Sequence, residues 1–336
     1  MMKSSAKLLI LISFLFLLNN CEDSSINKKS LNLISSDSPI DLSDISANFY
    51  KGINYGKSKN NSFDLFLPNT EDKTPLVIFV HGGGFVGGDK DKAYKNEYPE
   101  QIRTFLKNNI AFATINYRFL NDPKSNGVIT SLSDSKRCLQ FIRYHSEELN
   151  IDKEKIGMYG SSAGSGTSLW LGLHDDMKEV SSKDPIGRES TRIKAVGALE
   201  TQATYDITKW GSVVFKPFNF TFDQMVKSGM RKTLLGFYGI RDLSELDSEK
   251  MIAYRENIDF LILMSNNDPP IWVENKMYEA GVPQTKKEIN HHPLHAKVLK
   301  EQTEKIGLES IFYIPKLGIV DSTGLNLVDF MIKNLK

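Results

Sequence analysis

Two apolar runs that each end in a glycine-rich turn constrain the fold of this chain more than any other feature. "PLVIFV" (75–80) runs into "HGGGFVGG", and "KIGMYG" (155–160) runs into "SSAGSGTSLWLGL". Continuous apolar runs of this length are typical of strands buried on both faces of a parallel sheet, and the small residues after the second run predict the start of a helix. The pattern therefore predicts parallel strands whose carboxyl ends carry tight turns.

The rest of the chain from residue 46 to 336 alternates between strand and helix patterns. Helical spacing is clearest in 131–150, in "PLHAKVLKEQTEKIG" and in "LNLVDFMIKNL". The further predicted strands are "SFDLFLP" (62–68), "IAFATINY" (110–117), "IKAVGALE" (193–200), "FLILMS" (260–265) and "SIFYIP" (310–315). This alternation predicts an α/β domain with a mostly parallel central sheet covered by helices on both faces.

Residues 204–256 break the alternation with patches of aromatic and basic side chains. Long connections in compact domains often carry function. We interpret this segment as a cap-like insertion that lines a pocket above the sheet. Extra helices packed on the core are the alternative.

The N-terminal segment has the features of an export signal. Lys3 and Lys7 precede an apolar run from Leu8 to Leu18. That run is too short for the roughly 20 residues of a membrane-spanning helix, but it suits the apolar region of a signal peptide. Cys21 follows in a context that resembles the lipobox of bacterial lipoproteins, although Asn20 departs from the usual small residue.

We therefore expect residues 1–21 to be a lipoprotein-type signal peptide and Cys21 to be the lipidation site. An ordinary signal peptide is the alternative. The polar residues 22–45 are predicted to be a flexible tether. The protein would then be exported and held at a membrane of the cell envelope through its N-terminal lipid.

Composition excludes several classes of partner. The net charge is +1, with 42 basic and 41 acidic residues, which gives no basic face for nucleic acid. The chain has two cysteines, too few for a cysteine metal framework. Cys138 lies in a helical pattern and is predicted to be a small core residue.

The segment "GSSAG" (160–164) matches G-x-S-x-G with Ser162 at its centre. A serine on a sharp turn between a strand and a helix is exposed at the top of a sheet, where it can act as a nucleophile. The helix start also places partial positive charge near a developing oxyanion. The N–H groups of Gly83, Gly84 and Ala163 are predicted to hold that oxyanion.

Taken together, "HGGGFVGGDK", "NYRF" and "GMYGSSAGS", in this order, resemble the α/β-hydrolases, in particular the HGGG-bearing esterase and lipase branch related to hormone-sensitive lipase. The resemblance runs from about Tyr55 to the C-terminus. It implies an α/β-hydrolase fold, a serine hydrolase that needs no cofactor, and a catalytic order of serine, then acid, then histidine.

Asp268 is the predicted acid. It follows "FLILMS", and a carboxylate in the loop after a strand would lie at the same edge of the sheet as Ser162. An ordinary Asp–Pro turn is the alternative interpretation of this residue.

The base is harder to place, because no histidine follows "SIFYIP", where the family usually carries it. His291, His292 and His295 lie ahead of the penultimate helix, whose start must be at the upper edge of the sheet. We predict that His291, in a loop before that helix, is the base, with His292 and His295 as alternates. A helix-capping group without a catalytic role is the other interpretation. A metal site is disfavoured, because H-H-x-x-H lacks the spacing of a zinc helix.

The sequence therefore predicts a serine hydrolase that cleaves carboxylic esters of small molecules, without cofactor or metal. Gln202, in the segment after a predicted strand, is expected to face the substrate. A catalytically silent binding protein on the same fold is the first alternative, because the usual histidine is missing. A peptidase on the same fold is the second.

Overall fold

The structure is a computed structural model that describes residues 30–336. The predicted signal peptide, Cys21 and the first part of the predicted tether lie outside the described residues. The compact unit described below is Asn32–Lys336, the second of two units into which the chain divides. Within residues 30–336, no helix combines the length and apolar character needed to cross a membrane.

One sheet forms the centre of the second unit. In residues 30–336 it has nine strands in the order β1-β2-β4-β3-β5-β6-β7-β8-β9. The six strands from β4 to β8 in this order run parallel, while β2 is antiparallel to both of its neighbours and β9 to β8. The strands are β1 Ala47–Asn54, β2 Ser62–Pro68, β3 Thr74–Val80, β4 Ala111–Ile115, β5 Ile151–Ser161, β6 Ala195–Leu199, β7 Ile271–Glu274, β8 Ser310–Ile314 and β9 Ile319–Val320.

Helices connect these strands. They are α1 Tyr98–Lys107, α2 Val128–Tyr144, α3 Ala163–Leu173, α4 Trp210–Val213, α5 Phe222–Met225, α6 Arg231–Tyr238, α7 Glu249–Asn257, α8 Phe260–Leu263, α9 Lys286–His291, α10 Pro293–Ile306 and α11 Leu327–Leu335. The predicted α/β architecture with a mostly parallel sheet is confirmed.

The two faces of the sheet are covered by different helices, as two adjacent residues of β6 show. Successive strand residues point to opposite faces. Val196 packs against Gly172 of α3, whereas a side chain at Gly197 would collide with Leu327 and Met331 of α11. The core on the α11 side also contains α1, and it is built from residues that are almost fully buried, such as Val77, Phe79, Ile102, Phe105 and Phe330.

One predicted strand is wrong. "FLILMS" forms the short helix α8, because the buried Asp259 accepts the N–H of Leu261 (3.1 Å) and caps a helical turn. The strand at this level of the sheet is β7, "IWVE", which begins after Pro269 and Pro270. Asp268 was predicted to follow a strand, but in the structure it precedes one.

The predicted tether is also too long. Ser35 forms a bridge with Tyr50 of β1, and Ile40 is buried in the core. Arg103 of α1 donates to the main-chain oxygen of Asp41 and pairs with the carboxylate of Asp44 (2.7 Å). Residues 35–45 are therefore part of the folded unit, and the prediction of a flexible tether does not hold for them.

The predicted insertion at 204–256 is helical and lies between β6 and β7. It contains α4 to α7 and an irregular turn at Val226–Met230. Its aromatic side chains Tyr205, Trp210 and Phe237 line a cavity that reaches Ser162. We name residues 204–256 the cap.

Candidate active site

Ser162 lies on a strained turn between β5 and α3. Its φ is 54° and its ψ is −115°, a conformation that costs free energy for a residue with a side chain. A side chain at Gly164 would overlap the main chain of Val80, so the helix can approach the sheet this closely only with glycine there. The turn is therefore held in the geometry that exposes a serine at the carboxyl edge of the sheet.

His291 is the imidazole that the structure brings to this serine. Its Nε2 lies 3.3 Å from the Oγ of Ser162, at the long end of the hydrogen-bond range, which is common before a substrate is bound. Its Nδ1 lies 2.9 Å from the main-chain oxygen of Glu200. A carbonyl can only accept, so Nδ1 carries the proton and Nε2 presents its lone pair to the serine.

The protonation state of His291 suits a base. Burial lowers the pKa of His291 below its ordinary value, because the charged imidazolium loses solvation, and the positive charge of Lys287 acts in the same direction. The hydrogen bond to the Glu200 carbonyl opposes these effects. The ring is therefore neutral at pH 7 and able to accept a proton.

Two buried amide side chains hydrogen-bond to the main chain of Asn290 and His291. Nδ2 of Asn275 donates to the main-chain oxygen of His291 (2.9 Å), and Nε2 of Gln202 donates to that of Asn290 (2.7 Å). These carbonyls are at the end of α9, where no helical N–H remains to bond them. His291 is thus the last residue of a helix rather than part of the loop that the sequence predicted.

The two alternate histidines have other partners. Nε2 of His292 contacts the Gly281 oxygen (2.9 Å), and its Nδ1 accepts the N–H of Leu294 at the start of α10 (3.1 Å). Nε2 of His295 donates to the Ile289 oxygen (2.9 Å), and its Nδ1 accepts the N–H of Ala203 (3.1 Å). The three rings therefore do not converge on a common point, which a shared metal ion would require.

Asp268 is not brought to this site. It precedes β7 by three residues and so lies at the amino edge of the sheet, whereas Ser162 follows β5 at the carboxyl edge. Its carboxylate accepts the N–H of Ser265 (2.7 Å) and lies 3.6 Å from Arg192, which precedes β6. The placement of Asp268 beside Ser162 is therefore corrected. The cause is the strand wrongly predicted at 260–265.

The glycine loop after β3 lies against the serine turn. Gly83 has φ 133°, and a side chain there would overlap the main chain of Gly87, so the loop requires glycine. Gly84 and Ala163 line the same cavity wall as Ser162. Ala163 is the first residue of α3, so its N–H has no acceptor within its own helix. Gly84 and Ala163 therefore bring main chain to the wall of the cavity that holds the Ser162 hydroxyl.

His81, the first residue of the HGGG motif, supports this loop. Its ring stacks on Tyr117 with 4.6 Å between centroids and 16° between planes, and its Nδ1 lies 2.9 Å from the Gly82 oxygen. Burial lowers the pKa of His81 to about 4. This neutral, enclosed ring therefore fixes the loop rather than taking part in proton transfer.

Two different cavities meet at Ser162. One lies under the cap and is lined mainly by the apolar side chains Phe85, Tyr205, Ile207, Trp210 and Phe237, with Gln202 also in its wall. The other is more open and carries the charged side chains of Glu200, Lys276, Glu279 and Lys287. The reactive hydroxyl therefore stands between an apolar and a polar compartment.

Sequence reasoning missed the parts played by Glu200 and Asn275. Glu200 contributes its main-chain carbonyl, which every residue possesses, so its side-chain type gives no signal. Asn275 directly follows β7, and only a correct assignment of that strand would have placed it at the carboxyl edge.

A family model and several known proteins match this chain. A model of the BD-FAE family matches residues 63–278. A protein named probable isoprenylcysteine α-carbonyl methylesterase from Arabidopsis thaliana is 29% identical over 150 residues, covering 44% of this chain and 30% of that protein. A juvenile hormone esterase of Tribolium castaneum is 30% identical over 112 residues, covering 31% of this chain and 18% of that protein.

Among solved structures, a truncated carbohydrate esterase from gut microbiota matches with a TM-score of 0.62. It is 15% identical, and the match covers 91% of this chain and 98% of that chain. At this identity the likeness shows the fold, which is that of the α/β-hydrolases. The chain spans about a third or less of the length of the curated relatives it matches. The finer resemblance to the HGGG-bearing branch stays a prediction.

Proposed function

The chain belongs to the BD-FAE family, whose matching segment covers residues 63–278, and from this premise we propose that it is a serine hydrolase that cleaves carboxylic esters. The observation that carries the proposal is the contact of 3.3 Å between the Oγ of Ser162 and the Nε2 of His291, made at the wall of a cavity. A serine hydroxyl is a weak nucleophile at its free pKa, and a neutral imidazole within reach is the group that activates it.

In the first half of the reaction, the Oγ of Ser162 attacks the ester carbonyl carbon while Nε2 of His291 takes the hydroxyl proton. The tetrahedral intermediate carries its negative charge on the former carbonyl oxygen, which the N–H groups of Gly83, Gly84 and Ala163 are placed to bind. As the intermediate collapses, His291 returns the proton to the leaving alcohol and an acyl-enzyme remains. Water then attacks the acyl carbonyl carbon while Nε2 of His291 takes its proton, the bond to the Oγ of Ser162 breaks, His291 returns the proton to Oγ, and the acid is released.

The two cavities indicate how an ester would lie. The acyl group fits the apolar cavity under the cap, beside Gly84 and Ala163, because burial of an apolar group against aromatic side chains is favourable. The alcohol fits the open, charged cavity, from which it can leave into water. We propose small aliphatic or aromatic acyl esters of polar alcohols, carbohydrates among them, as the substrate class.

A fluorophosphonate probe tests the proposal, because it reacts with a serine only when that serine is activated. We expect the wild-type protein to be labelled and to hydrolyse p-nitrophenyl butyrate, and Ser162→Ala to do neither. Absence of labelling in the wild type would favour the silent binding protein. Turnover of peptide substrates without ester turnover would favour the peptidase.

We further propose export and a lipid anchor at Cys21, in keeping with the charged and apolar pattern of residues 1–21. The membrane would then be a partner through the N-terminal lipid, with the second unit carrying the chemistry. Mass spectrometry of the mature N-terminus tests this: we expect an acylated Cys21 as first residue and release of the protein from membranes by Cys21→Ser. An unmodified mature chain that begins elsewhere would overturn it.

A further inference from the structure

The residues that directly follow β5, β6 and β7 form a row at the carboxyl edge of the sheet. The last paired residues of these strands lie side by side: Ser161, Leu199 and Glu274. Ser162, Glu200 and Asn275 come next along the chain, and we name them the strand-end row. Each is fixed by the neighbouring strand, since Ser162 N–H donates to Leu199, Glu200 N–H to Glu274 and Asn275 N–H to Tyr313, at 2.8, 2.9 and 3.0 Å.

Each of the three members of the strand-end row contacts His291. Ser162 presents its hydroxyl to Nε2, Glu200 presents its main-chain oxygen to Nδ1, and Asn275 binds the His291 main-chain oxygen. Ser162 and Glu200 share φ 54°, a value that turns the chain sharply out of the strand direction and that residues with side chains rarely adopt. Strained backbone of this kind persists only where the surroundings impose it.

The carboxylates of Glu200 and Glu274, at the end of β6 and β7, are engaged with Lys276. The Glu200 carboxylate accepts the N–H of Lys276 (2.8 Å), and the Glu274 carboxylate pairs with the Lys276 ammonium (2.9 Å). Asp268, the acid that the sequence favoured, is at the opposite edge of the sheet. The acceptor that faces the Nδ1 proton of His291 is the Glu200 carbonyl.

We propose that the third member of the catalytic constellation is the main-chain carbonyl of Glu200, and that Asn275 is a positioning residue that holds the His291 backbone against it. This inference rests on the proposed function. It assigns the orientation of the catalytic imidazole to a main-chain carbonyl rather than to a side chain. The carbonyl fixes the tautomer and the ring plane, which are two of the tasks of a triad carboxylate. It supplies a dipole rather than a full charge for the transient imidazolium.

Steady-state kinetics of side-chain variants on p-nitrophenyl butyrate test the first half of the proposal. Glu200→Gln keeps the carbonyl and the acceptor for Lys276, and Glu200→Gly keeps the carbonyl and tolerates φ 54°. We expect each to lower kcat by only about two- to tenfold, because the carbonyl is kept. Loss of a true triad carboxylate would instead cost about 10⁴-fold. A loss above about 10³-fold in Glu200→Gln, or in Glu274→Gln, with an unchanged melting profile would identify a carboxylate partner and overturn the proposal.

The second half needs a measurement that separates positioning from folding. For Asn275→Ala we expect kcat to fall by about 10- to 100-fold with KM changed by less than about threefold, because the substrate cavities are intact while the imidazole is less well placed. The rate of fluorophosphonate labelling should fall in proportion to kcat. Equal kcat in Asn275→Ala and the wild type, or a change confined to KM, would contradict the role of Asn275.

The outcomes also separate this inference from the proposed function. If the wild type is labelled at Ser162 and Glu200→Gln loses activity like a triad variant, the protein is a serine hydrolase and only the carbonyl assignment is wrong. If the wild type is neither labelled nor active on esters, the proposed function fails and the inference fails with it.

Discussion

The polar residues at the two edges of the parallel sheet differ in their hydrogen-bond partners and in their backbone conformation. At the carboxyl edge, the His291 ring contacts two uncharged groups, the Ser162 hydroxyl and the Glu200 main-chain carbonyl. Ser162 and Glu200 also have a strained backbone with positive φ. At the amino edge, Asp268 and Arg192 form an ion pair, and neither residue has a positive φ. The positive φ of Ser162 and Glu200, set against the ordinary φ of Asp268 and Arg192, indicates which of these two groups is arranged for chemistry and which for stability.

The largest effect that sharpens this comparison is expected from the pair Ser162 and His291. We predict that Ser162→Ala and His291→Ala each lower kcat/KM by about 10³- to 10⁵-fold, and that the double variant loses little more than either single one, because the two groups act as a unit. Ester hydrolysis by the three variants provides the measurement. Losses that multiply in the double variant would show that the two side chains act independently.

His292→Ala and His295→Ala are the matched controls for His291, because they remove neighbouring imidazoles that contact main-chain groups away from the serine. We expect them to lower the melting temperature and to change kcat/KM little. The reason is clearest for His295, which is fully buried and whose ring packs against Trp210 of the cap. A rate loss in His292→Ala as large as in His291→Ala would change the assignment of the base.

A second prediction concerns the glycine loop of the carboxyl edge. Gly83→Ala should lower kcat by about 10²- to 10³-fold, because the new methyl group overlaps the main chain of Gly87 and displaces an oxyanion donor. Gly87→Ala is the control, since a side chain there meets open space at negative φ. Equal kcat for the two variants would show that the loop geometry is not needed for the reaction.

A third prediction separates the edges by their response to acid. Four imidazoles at the carboxyl edge and beside the cap lose solvation in the folded chain, and this lowers the pKa of all four: His81 to about 4, His295 to about 3, and His291 and His292 below the ordinary value. Below pH 6.5 the unfolded chain binds protons on these rings that the folded chain does not. The free energy of unfolding therefore falls as pH decreases from 6.5, by up to about 1.4 kcal/mol per pH unit for each ring.

Two buried carboxyls act in the opposite sense over a lower range. Burial raises the pKa of Asp268 and of Glu200, so the folded chain retains their protons to higher pH than the unfolded chain does. Four imidazoles outweigh two carboxyls between pH 6.5 and about 5. Urea unfolding at pH 7 and pH 5 measures the difference, and hydrogen exchange at pH 5 should show α9 and the cap opening before α1 and α11. Equal stability at the two pH values would contradict the burial of these rings.

Much of the fold was predictable because its elements are locally encoded. The apolar runs at 75–80 and 110–117 are strands, and the turn at Ser162 follows from its glycines and its small-residue helix start. The segment "FLIL" was mistaken because a short apolar run does not distinguish a strand from a helix, and the capping by Asp259 that decides it depends on the buried contact with Lys209.

The candidate site was predictable to a different degree for each residue. His291 could be placed near Ser162 because the start of α10 must lie at the carboxyl edge once the next strand is parallel. Its orientation could not, since the Glu200 carbonyl is a main-chain group that leaves no pattern in the sequence, and the side-chain amide of Asn275 could be placed only with the correct assignment of β7.

The smallest effect is expected at the amino edge. Asp268→Asn keeps an acceptor for the Ser265 N–H and removes both the ion pair with a partly exposed Arg192 and the cost of burying the carboxylate charge, so the free energy of unfolding should change by about 1 kcal/mol or less. Thermal unfolding provides this measurement. A loss of several kcal/mol would show that the amino-edge ion pair contributes more to stability than its exposure indicates.

The most direct test of the account is to measure kcat/KM of His291→Ala and Asp268→Asn side by side on the same ester. The account predicts a loss of about 10³-fold or more for His291→Ala and a change within about twofold for Asp268→Asn. A loss of about 10³-fold in Asp268→Asn, or full activity in His291→Ala, would contradict it.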